Sequence, residues 1–202
     1  MSLRKELRQH CRTARAALDA KARNHASLAI AVHLAASQHY RNARHVAIYW
    51  PVDDEVDLRE LLRLPSAAAH SFYLPRMLPA HVLEFRPLGD PTMLRLNDRG
   101  IAEPRPEMGA TITTRELDLV CVPLLGFDRH GNRLGQGGGF YDRAFAFVRE
   151  ERLARPLLIG AAFACQELAT LERATWDVPL DAVVTEHGLI ECASGVQRRN
   201  AR

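Results

Sequence analysis

Residues 118–143 read DLVCVPLLGFDRHGNRLGQGGGFYDR and carry the strongest indication of the fold. The apolar run at residues 117–122 ends at Pro123, which is typical of a buried strand. A glycine-rich loop at residues 135–139 follows, and the residues after it indicate the start of a helix. The backbone of such a loop can approach a ligand closely, and its N–H groups can bind an anion. The stretch therefore predicts a phosphate site between a strand and a helix.

Two charged residues flank the glycine run and favour a binding site over a plain flexible loop. Arg133 offers planar donors that suit phosphate, and Asp142 offers oxygen ligands that suit a phosphate-bound Mg²⁺. The loop is not a Walker A motif, because no Gly-Lys-Ser/Thr follows it. It also lacks the dinucleotide spacing, since Phe140 stands where a third glycine belongs. A bare glycine run would more often be only a flexible connection.

Further β-branched and apolar runs predict strands on both sides of this stretch. They lie at residues 46–50, 72–74, 82–88, 157–163 and 182–185. Residues 90–107, with three prolines and a glycine, indicate a long connection. Helical segments alternate with these strands, so the sequence predicts an α/β sheet whose ligands bind beyond the carboxyl ends of the strands.

Two helices are predicted before the first strand, and together they are expected to form a helical hairpin. The first has an apolar stripe at helical spacing, which comprises Leu3, Leu7, Cys11, Ala14 and Leu18. A second stripe of the same helix is cationic and comprises Lys5, Arg8, Arg12 and Arg15. The second helix spans residues 22–37. After the first strand, Asp57 and Glu60 resemble a capping box for a helix at residues 58–64.

Length and composition predict one globular domain over residues 1–202. The chain is 47% hydrophobic and 25% charged, which is ordinary for a folded protein. We expect a helical hairpin at about residues 2–38, an α/β core at about 45–192 and a basic tail at 193–202. The four cysteines are widely spread and are interpreted as reduced thiols. The sequence has neither an apolar run of about 20 residues nor a signal-peptide core, so a cytoplasmic location and no membrane partner are expected.

The formal net charge of +3 is mild, but Lys5 and Lys21 are the only lysines among 27 basic residues. An arginine bias can reflect genome composition, and it also suits bidentate phosphate binding. Nucleic-acid binders gather cations with aromatic residues between them. The dense basic tail, with Arg198, Arg199 and Arg202, has no aromatic neighbours, so no nucleic-acid partner is expected.

Residues 133–143 resemble the RLGYGGGYYDR signature of the 5-formyltetrahydrofolate cyclo-ligase family. The likeness extends to residues 5–8, 55–57 and 176–181, and thus over nearly the whole chain. It implies a three-layer α/β/α sandwich with a mostly parallel sheet, similar to sugar-phosphate isomerases and CoA transferases. It also implies a ligase that uses ATP and Mg²⁺ to convert 5-formyltetrahydrofolate, with or without a polyglutamate tail, to 5,10-methenyltetrahydrofolate, ADP and phosphate. A monomer is expected.

The resemblance also implies roles for individual residues. Those implied for ATP contact are Arg4, Lys5, Glu6, Leu7, Arg8, Arg15, Arg133, Leu134, Gly135, Gln136, Gly137, Gly138, Gly139, Phe140 and Tyr141. Among them, Arg133 and Lys5 are the expected catalytic residues. Those implied for folate contact are Trp50, Glu55, Gln136, Gly137, Gly138, Gly139 and Phe140. Mg²⁺ is assigned to Asp142 and Asp177, with nearby Asp181 as a competing ligand. Gln136 and Phe140 replace tyrosines of the usual pattern.

These roles and this function have alternatives. On spacing alone, Lys5 and Arg8 are more often part of a solvated helix face. Trp50 at a strand end is as often a core residue as a platform for a flat pterin. Glu55 can simply stabilise the following helix through a favourable interaction with its dipole. Two other functions stay open: a sugar-phosphate isomerase or CoA-transferase-like enzyme, and a non-catalytic folate- or nucleotide-binding protein. Strict dependence on ATP would distinguish the cyclo-ligase from the isomerase or transferase. Binding without turnover would indicate the non-catalytic protein, and contact with RNA would also make that binding depend steeply on salt concentration.

Overall fold

The computed structural model describes residues 3–151 and 155–193. The α-helices in this part of the chain are α1 (Leu3–Ala16), α2 (Ala20–Ala36), α3 (Gln38–Arg41), α4 (Arg59–Leu62), α5 (Phe140–Ala144) and α6 (Ala146–Glu150). The strands are β1 (His45–Ala47), β2 (Ser71–Leu78), β3 (Val82–Pro87), β4 (Arg95–Leu96), β5 (Ala102–Glu103), β6 (Leu119–Pro123), β7 (Gly126–Phe127), β8 (Arg133–Leu134), β9 (Leu157–Ala161), β10 (Ala182–Thr185) and β11 (Gly188–Glu191). The predicted basic tail lies outside the described residues except for Ala193. None of the helices described is long and apolar enough to cross a membrane.

Seven strands form one sheet in the order β11-β10-β9-β6-β1-β2-β3. The five inner strands of this order run parallel to one another, and each edge strand runs antiparallel to its neighbour. Two small antiparallel pairs, β4 with β5 and β7 with β8, lie outside the main sheet. The mostly parallel sheet confirms the predicted α/β class.

Strands β1, β6, β9 and β10 are buried along most of their length because helices cover each face of the sheet. Successive side chains of a strand point to opposite faces, so Val46 belongs to one core and its neighbour Ala47 to the other. The first core contains Ile30 and Leu34 of α2. The second core contains Phe145, which joins α5 to α6. The expected three layers are therefore α2, the sheet, and the α5–α6 segment.

Helices α1 and α2 form as predicted, but their main packing partners differ. Helix α1 packs on β7 and on the 3-10 turn Ala164–Gln166, whereas α2 packs on β10, β11 and α4. The Asp19 side chain caps α2 by accepting a hydrogen bond from the Ala22 N–H at 2.7 Å. The two helices thus serve different parts of the fold rather than packing mainly on each other.

The first strand is shorter than predicted. Strand β1 ends at Ala47, although the Ile48 N–H still donates to the Tyr73 carbonyl at 3.0 Å. Beyond this bond the chain leaves the sheet, and the Tyr49 hydroxyl donates to the Val56 carbonyl at 3.1 Å. The residues that follow β1 are therefore free to form a loop at the carboxyl edge of the sheet.

The predicted capping box of the next helix is wrong. Helix α4 is a single turn whose N-cap, Leu58, makes no side-chain capping bond. The Asp57 carboxylate instead accepts hydrogen bonds from the backbone and side chain of Arg59. Several strands were not predicted: residues 90–107 contain the β4–β5 pair, the β7–β8 pair precedes the glycine loop, and β11 follows the strand that was expected to be the last.

Candidate functional site

A cavity of about 850 Å³ lies beyond the carboxyl ends of three parallel strands. Trp50 follows β1, Met77 lies near the end of β2 and Leu124 follows β6, and all three line the cavity. The glycine loop between β8 and α5 forms another wall. This is the edge of the sheet at which the sequence predicts a ligand, and the volume is in the range of small-molecule sites.

Among the described residues, the cavity lining contains seven arginines and five acidic residues. The arginines are Arg4, Arg8, Arg15, Arg99, Arg133, Arg143 and Arg149. The acidic residues are Asp53, Glu55, Glu103, Asp142 and Asp177. The excess of positive charge favours an anionic ligand, because a low-dielectric cleft concentrates the field of its charges.

The glycine loop needs its glycines for two physical reasons. Gly137 and Gly139 have φ values of +107° and +64°, and residues other than glycine rarely adopt such values. A Cβ atom on Gly138 would lie 2.9 Å from the ring of Phe140. The loop therefore brings bare backbone to the cavity, as the sequence predicts.

Arg133 is buried and held in a fixed orientation beside this loop. Its guanidinium donates hydrogen bonds to the Val178 carbonyl and to Oδ1 of Asp142. The same Oδ1 accepts a hydrogen bond from the Val178 N–H at 3.0 Å. Burial lowers the pKa of Arg133 and Asp142 opposes this, so the guanidinium stays charged. A preoriented cation thus faces the cavity next to the glycine loop.

Helix α1 turns arginines toward the cavity, which differs from the predicted arrangement of its stripes. Positions 4, 8, 11 and 15 share one face of the helix, because they are spaced by three or four residues. Arg15 on this face is only 5% exposed and Cys11 is buried, whereas Leu3 of the predicted apolar stripe is 61% exposed. The face of α1 that meets the rest of the protein therefore combines arginines with members of the apolar stripe such as Cys11, whereas Lys5 and Arg12 of the predicted cationic stripe are exposed.

The arginines of α1 bind atoms of the loops around the cavity. The pairs are Arg4 with the Asp177 carboxylate at 3.1 Å, Arg8 with the Gly135 carbonyl at 2.9 Å, Arg12 with the Gln136 side-chain oxygen at 2.7 Å, and Arg15 with the Asp54 carboxylate at 2.6 Å. Burial, followed by the nearby charges of Arg4 and Arg12, lowers the pKa of Arg8. An anion that binds among these cations reduces the repulsion between them.

The loop after β1 forms the acidic and aromatic wall of the cavity. Glu55 is partly buried, and its Oε2 accepts a hydrogen bond from the Val52 N–H at 3.2 Å. Burial raises the pKa of Glu55 above its usual value. The Trp50 ring is partly buried, and the guanidinium carbon of Arg59 lies 5.3 Å from its centroid. This wall therefore brings a flat ring and a hydrogen-bonding carboxyl to the same cavity.

The structure brings most of the predicted site residues to this cavity. Those that line it are Arg4, Arg8, Arg15, Trp50, Glu55, Arg133, Gly135, Gln136, Gly137, Gly138, Gly139, Phe140, Tyr141, Asp142 and Asp177. Four predicted ATP contacts do not line it: Lys5 and Glu6 are exposed on α1, Leu7 lies on the same helix, and Leu134 is buried in β8. The expected catalytic role of Lys5 therefore gains no geometric support.

The two candidates for the second metal ligand lie in different places. Asp177 lines the cavity and accepts hydrogen bonds from Arg4 and from the Ala174 N–H. Asp181 is buried at the amino end of β10, where its Oδ2 accepts a hydrogen bond from the Leu158 N–H at 2.8 Å. Of the two, Asp177 is the residue at the cavity.

The residues that line the cavity can hold Mg²⁺ together with a phosphate ligand. The described residues contain no cluster of three metal-ligating side chains. However, Mg²⁺ at phosphate sites usually keeps several waters and takes one or two carboxylates besides the phosphates. Asp142 and Asp177, which both act on the charge of Arg133, supply two such carboxylates.

Several lining residues were not predicted from the sequence. They are Met77, Leu83, Arg99, Ile101, Ala102, Glu103, Arg143, Arg149 and Trp176. Arg143 and Trp176 fall inside the motifs that carry the family resemblance, so proximity to those motifs could have identified them. Arg99 and Glu103 come from the predicted connection, and no local pattern marks them as cavity residues.

This chain is similar to proteins of a known family. The model of the 5-formyltetrahydrofolate cyclo-ligase family matches residues 1–186. A 5-formyltetrahydrofolate cyclo-ligase of Haemophilus influenzae is 32% identical over 179 residues, which cover 88% of this chain and 94% of the relative. The enzyme of the same name from Escherichia coli K12 is 34% identical over 148 residues, which cover 71% of this chain and 78% of the relative.

Solved structures show the same fold. The structure of 5,10-methenyltetrahydrofolate synthetase from Aquifex aeolicus has a TM-score of 0.79 and 29% identity, with 95% of this chain and 94% of that chain covered. A 5,10-methenyltetrahydrofolate synthetase from Mycoplasma pneumoniae has a TM-score of 0.69 and 24% identity, with 92% and 99% covered, and supports the fold alone.

Proposed function

Because this chain belongs to the 5-formyltetrahydrofolate cyclo-ligase family, we propose that it uses ATP and Mg²⁺ to convert 5-formyltetrahydrofolate to 5,10-methenyltetrahydrofolate, ADP and phosphate. The family and the relatives make it a ligase of folate one-carbon metabolism. The observation that carries the finer proposal is the cavity with two unlike walls. One wall joins the glycine loop to arginines, and the other joins Trp50 to Glu55.

In this proposal the arginine wall binds the triphosphate. The N–H groups of the glycine loop and the guanidiniums of Arg4 and Arg8 surround the phosphates. Arg133 is already oriented by Asp142 and Val178, so it stabilises the transferred phosphoryl group without reorganising during the reaction. Lys5 is a second and weaker candidate for stabilising this phosphoryl group, because its side chain is exposed.

The aromatic and acidic wall binds the folate. A pterin is flat and carries N–H donors, so it gains from stacking on the Trp50 ring and from donating to a carboxylate. Glu55 lines the cavity and is partly buried, so it is placed to accept such bonds. Phe140 lines the same cavity and adds apolar surface.

The chemistry requires positioning and charge neutralisation but no protein nucleophile. The formyl oxygen attacks the γ-phosphoryl group and releases ADP. N10 then attacks the formyl carbon and gives up its proton, and the formyl C–O bond breaks so that the oxygen and the proton leave with the phosphate. The chain holds the two substrates in contact and neutralises the phosphates through Arg133 and the loop amides. Mg²⁺ held by Asp142 and Asp177 would neutralise further phosphate charge.

The proposal extends to the setting in which the enzyme works. We propose one domain that acts as a monomer in the cytoplasm on folate with or without a polyglutamate tail. Neither nucleic acid nor a membrane is a proposed partner, because the composition lacks the cation–aromatic pattern of nucleic-acid binders and a long apolar run.

One assay tests the proposed function. Purified protein is mixed with 5-formyltetrahydrofolate, Mg²⁺ and ATP, and the methenyl product is followed by near-ultraviolet absorbance while ADP is measured separately. We expect both products to appear together and to require ATP. Binding of folate or ATP without turnover would favour the non-catalytic alternative, and turnover of a sugar phosphate without ATP would favour the isomerase alternative.

The metal assignment is tested with Asp142→Asn. A neutral amide is a weaker ligand for a hard cation, so we expect a several-fold higher Mg²⁺ requirement that added Mg²⁺ partly overcomes. Because Asp142 also orients Arg133, kcat is expected to fall as well. A fall in kcat with an unchanged Mg²⁺ requirement would leave Asp142 as an anchor for Arg133 and remove it from the metal site.

A further inference from the structure

We propose that Arg15 is a positioning residue for the folate half of the site and not a ligand of ATP. In this role the ion pair between the buried Arg15 and Asp54 fixes the loop that carries Glu55 against helix α1. The inference rests on the proposed function, since it assigns Arg15 to one of the two proposed substrates. It departs from the role in ATP binding that the family resemblance suggests for this residue.

The first observation is the burial of Arg15. Its side chain is only 6% exposed, although it lies in the last turn of a surface helix, and Nη2 lies 2.6 Å from Oδ1 of Asp54. Its Nε is also buried and has no hydrogen-bond partner among the described residues. A charge held in this way must have a partner of opposite sign, because an unpaired buried charge is strongly unfavourable. Asp54 is therefore tied to α1.

The second observation is the position of Arg15 along α1. Arg8 and Arg12 bond to the glycine loop, through the Gly135 carbonyl and the Gln136 side chain. Arg15 lies two helical turns beyond Arg8, about 10 Å along the axis, and its ion pair is with the acidic loop. The same helix thus contacts the phosphate wall near its start and the folate wall near its end.

The third observation is the electrostatic environment of Glu55, which adjoins Asp54. The titratable and charged groups that act on it or are affected by it are Arg15, Asp53, Asp54, Tyr49 and Tyr141. Burial raises the pKa of Glu55, the Arg15 charge opposes the rise, and the Asp53 and Asp54 charges add to it. Both tyrosines have pKa values raised by burial and stay neutral. The two members of the ion pair therefore act on Glu55 with opposite signs.

This opposition gives a test that a merely structural role would not pass. An ionised Glu55 accepts hydrogen bonds from the pterin, so kcat/KM for folate should fall as pH drops through the pKa of Glu55. In Arg15→Gln the pKa rises further, and the acidic limb of the profile should move to higher pH by about half a unit or more. In Asp54→Asn the pKa decreases, and the limb should move to lower pH.

Both variants should raise the folate KM about tenfold, because each releases the loop, and should change the ATP KM less than twofold. Arg8→Gln serves as the opposite control, with the ATP KM raised and the folate KM unchanged. Arg41→Gln, an exposed arginine of α3, controls for loss of a cation. Far-ultraviolet circular dichroism and thermal unfolding establish that each variant is folded.

A larger effect of Arg15→Gln on the ATP KM than on the folate KM would overturn the proposal. Acidic limbs of the pH profiles that do not move in the two variants would overturn it as well. If Arg15→Gln does not fold, Asp54→Asn decides alone, and an unchanged folate KM in that variant overturns the proposal. Failure of the proposed function would be visible separately, as a wild-type protein that forms no methenyl product. Equilibrium binding of 5-formyltetrahydrofolate and of ATP to the same variants would then still test Arg15.

Discussion

Helices α1 and α2 follow one another in the chain and both are predicted from apolar residues at helical spacing, but they bury different kinds of side chain. Helix α2 buries small and aliphatic residues, among them Ile30 and Leu34, against the sheet. Helix α1 buries Cys11 and Arg15 and leaves Leu3 exposed. One helix is part of the core, and the other is part of the site.

The difference shows what apolar periodicity can and cannot report. It identifies the face of a helix that meets an apolar sheet, because burial of apolar surface determines that face. It does not identify a face that meets a polar cavity, where each buried cation is held by a carboxylate or a carbonyl. A core helix should therefore respond to mutation mainly in stability, and a site helix mainly in kinetics.

The largest effect is expected from Leu34→Ala, which tests the core side of this comparison. Leu34 is fully buried in α2, so its truncation should lower the free energy of unfolding by about 2 to 5 kcal/mol. Folded enzyme should keep its kcat and both KM values, because the residue does not line the cavity. Urea denaturation gives the first quantity. Val32→Ala on the same helix, at a side chain that is 46% exposed, should change stability by less than about 0.5 kcal/mol.

The converse response is expected from Arg133→Lys, in which the charge stays but the planar fork is lost. If Arg133 stabilises the transferred phosphoryl group more than bound ATP, kcat should fall with little change in the ATP KM. Loss of one preoriented donor is worth about 2 to 4 kcal/mol, or roughly a thirty-fold to thousand-fold drop in kcat. Steady-state kinetics with a melting curve for each variant measure the effect.

The matched control is Arg129→Lys. Arg129 lies in the β7–β8 turn, is 68% exposed and pairs with Glu167, so the same substitution there should leave kcat unchanged. A folded Arg133→Lys variant with near-normal kcat would mean that the glycine loop holds phosphate without this residue, and its catalytic role would be withdrawn.

A smaller and more selective effect is expected from Glu55→Gln combined with Trp50→Ala. Both side chains form the proposed folate wall. Loss of a charged hydrogen bond and an aromatic contact should therefore raise the folate KM about ten- to a hundred-fold. The ATP KM should stay within twofold. Glu60→Gln, in α4 and outside the cavity lining, is the control. Equal increases in both KM values would show that the two walls do not bind different substrates.

Local patterns in the sequence were sufficient to predict the α/β class and the main site loop, whereas the three layers were expected from the family resemblance. Short β-branched runs such as residues 182–185 match an observed strand at both ends. The glycine loop is recognisable because backbone conformation with positive φ and close approach to Phe140 restrict those positions to glycine. These constraints act within a few residues, so a single sequence reveals them.

The other half of the site depends on contacts between distant segments. Glu103 is buried at the cavity because it accepts hydrogen bonds from the Met77 N–H and from Asn97, far from the glycine loop in sequence. Arg99 reaches the Phe140 ring, with 5.3 Å between its guanidinium carbon and the ring centroid. Nothing local marks these residues. The exposed Lys5 and the buried Arg15 likewise differ only in which neighbours their helix face meets.

The smallest expected effect separates a partly buried arginine of α1 from an exposed one and comes from a comparison of Arg8→Ala with Arg12→Ala. Arg8 is partly buried on the cavity face and donates to the Gly135 carbonyl at 2.9 Å, whereas Arg12 is exposed and donates to the Gln136 side chain at 2.7 Å. A partly buried cation next to the phosphates interacts strongly, so Arg8→Ala should raise the ATP KM about tenfold. An exposed pair is weak and screened by salt, so Arg12→Ala should raise the ATP KM about twofold at low ionic strength and not measurably in 0.5 M salt.

The ATP KM of both variants, measured at two salt concentrations, tests this prediction. Equal and equally salt-sensitive increases would mean that Arg8 acts only as a surface charge, and the assignment of the buried face of α1 to the site would then have to rest on Arg4 and Arg15.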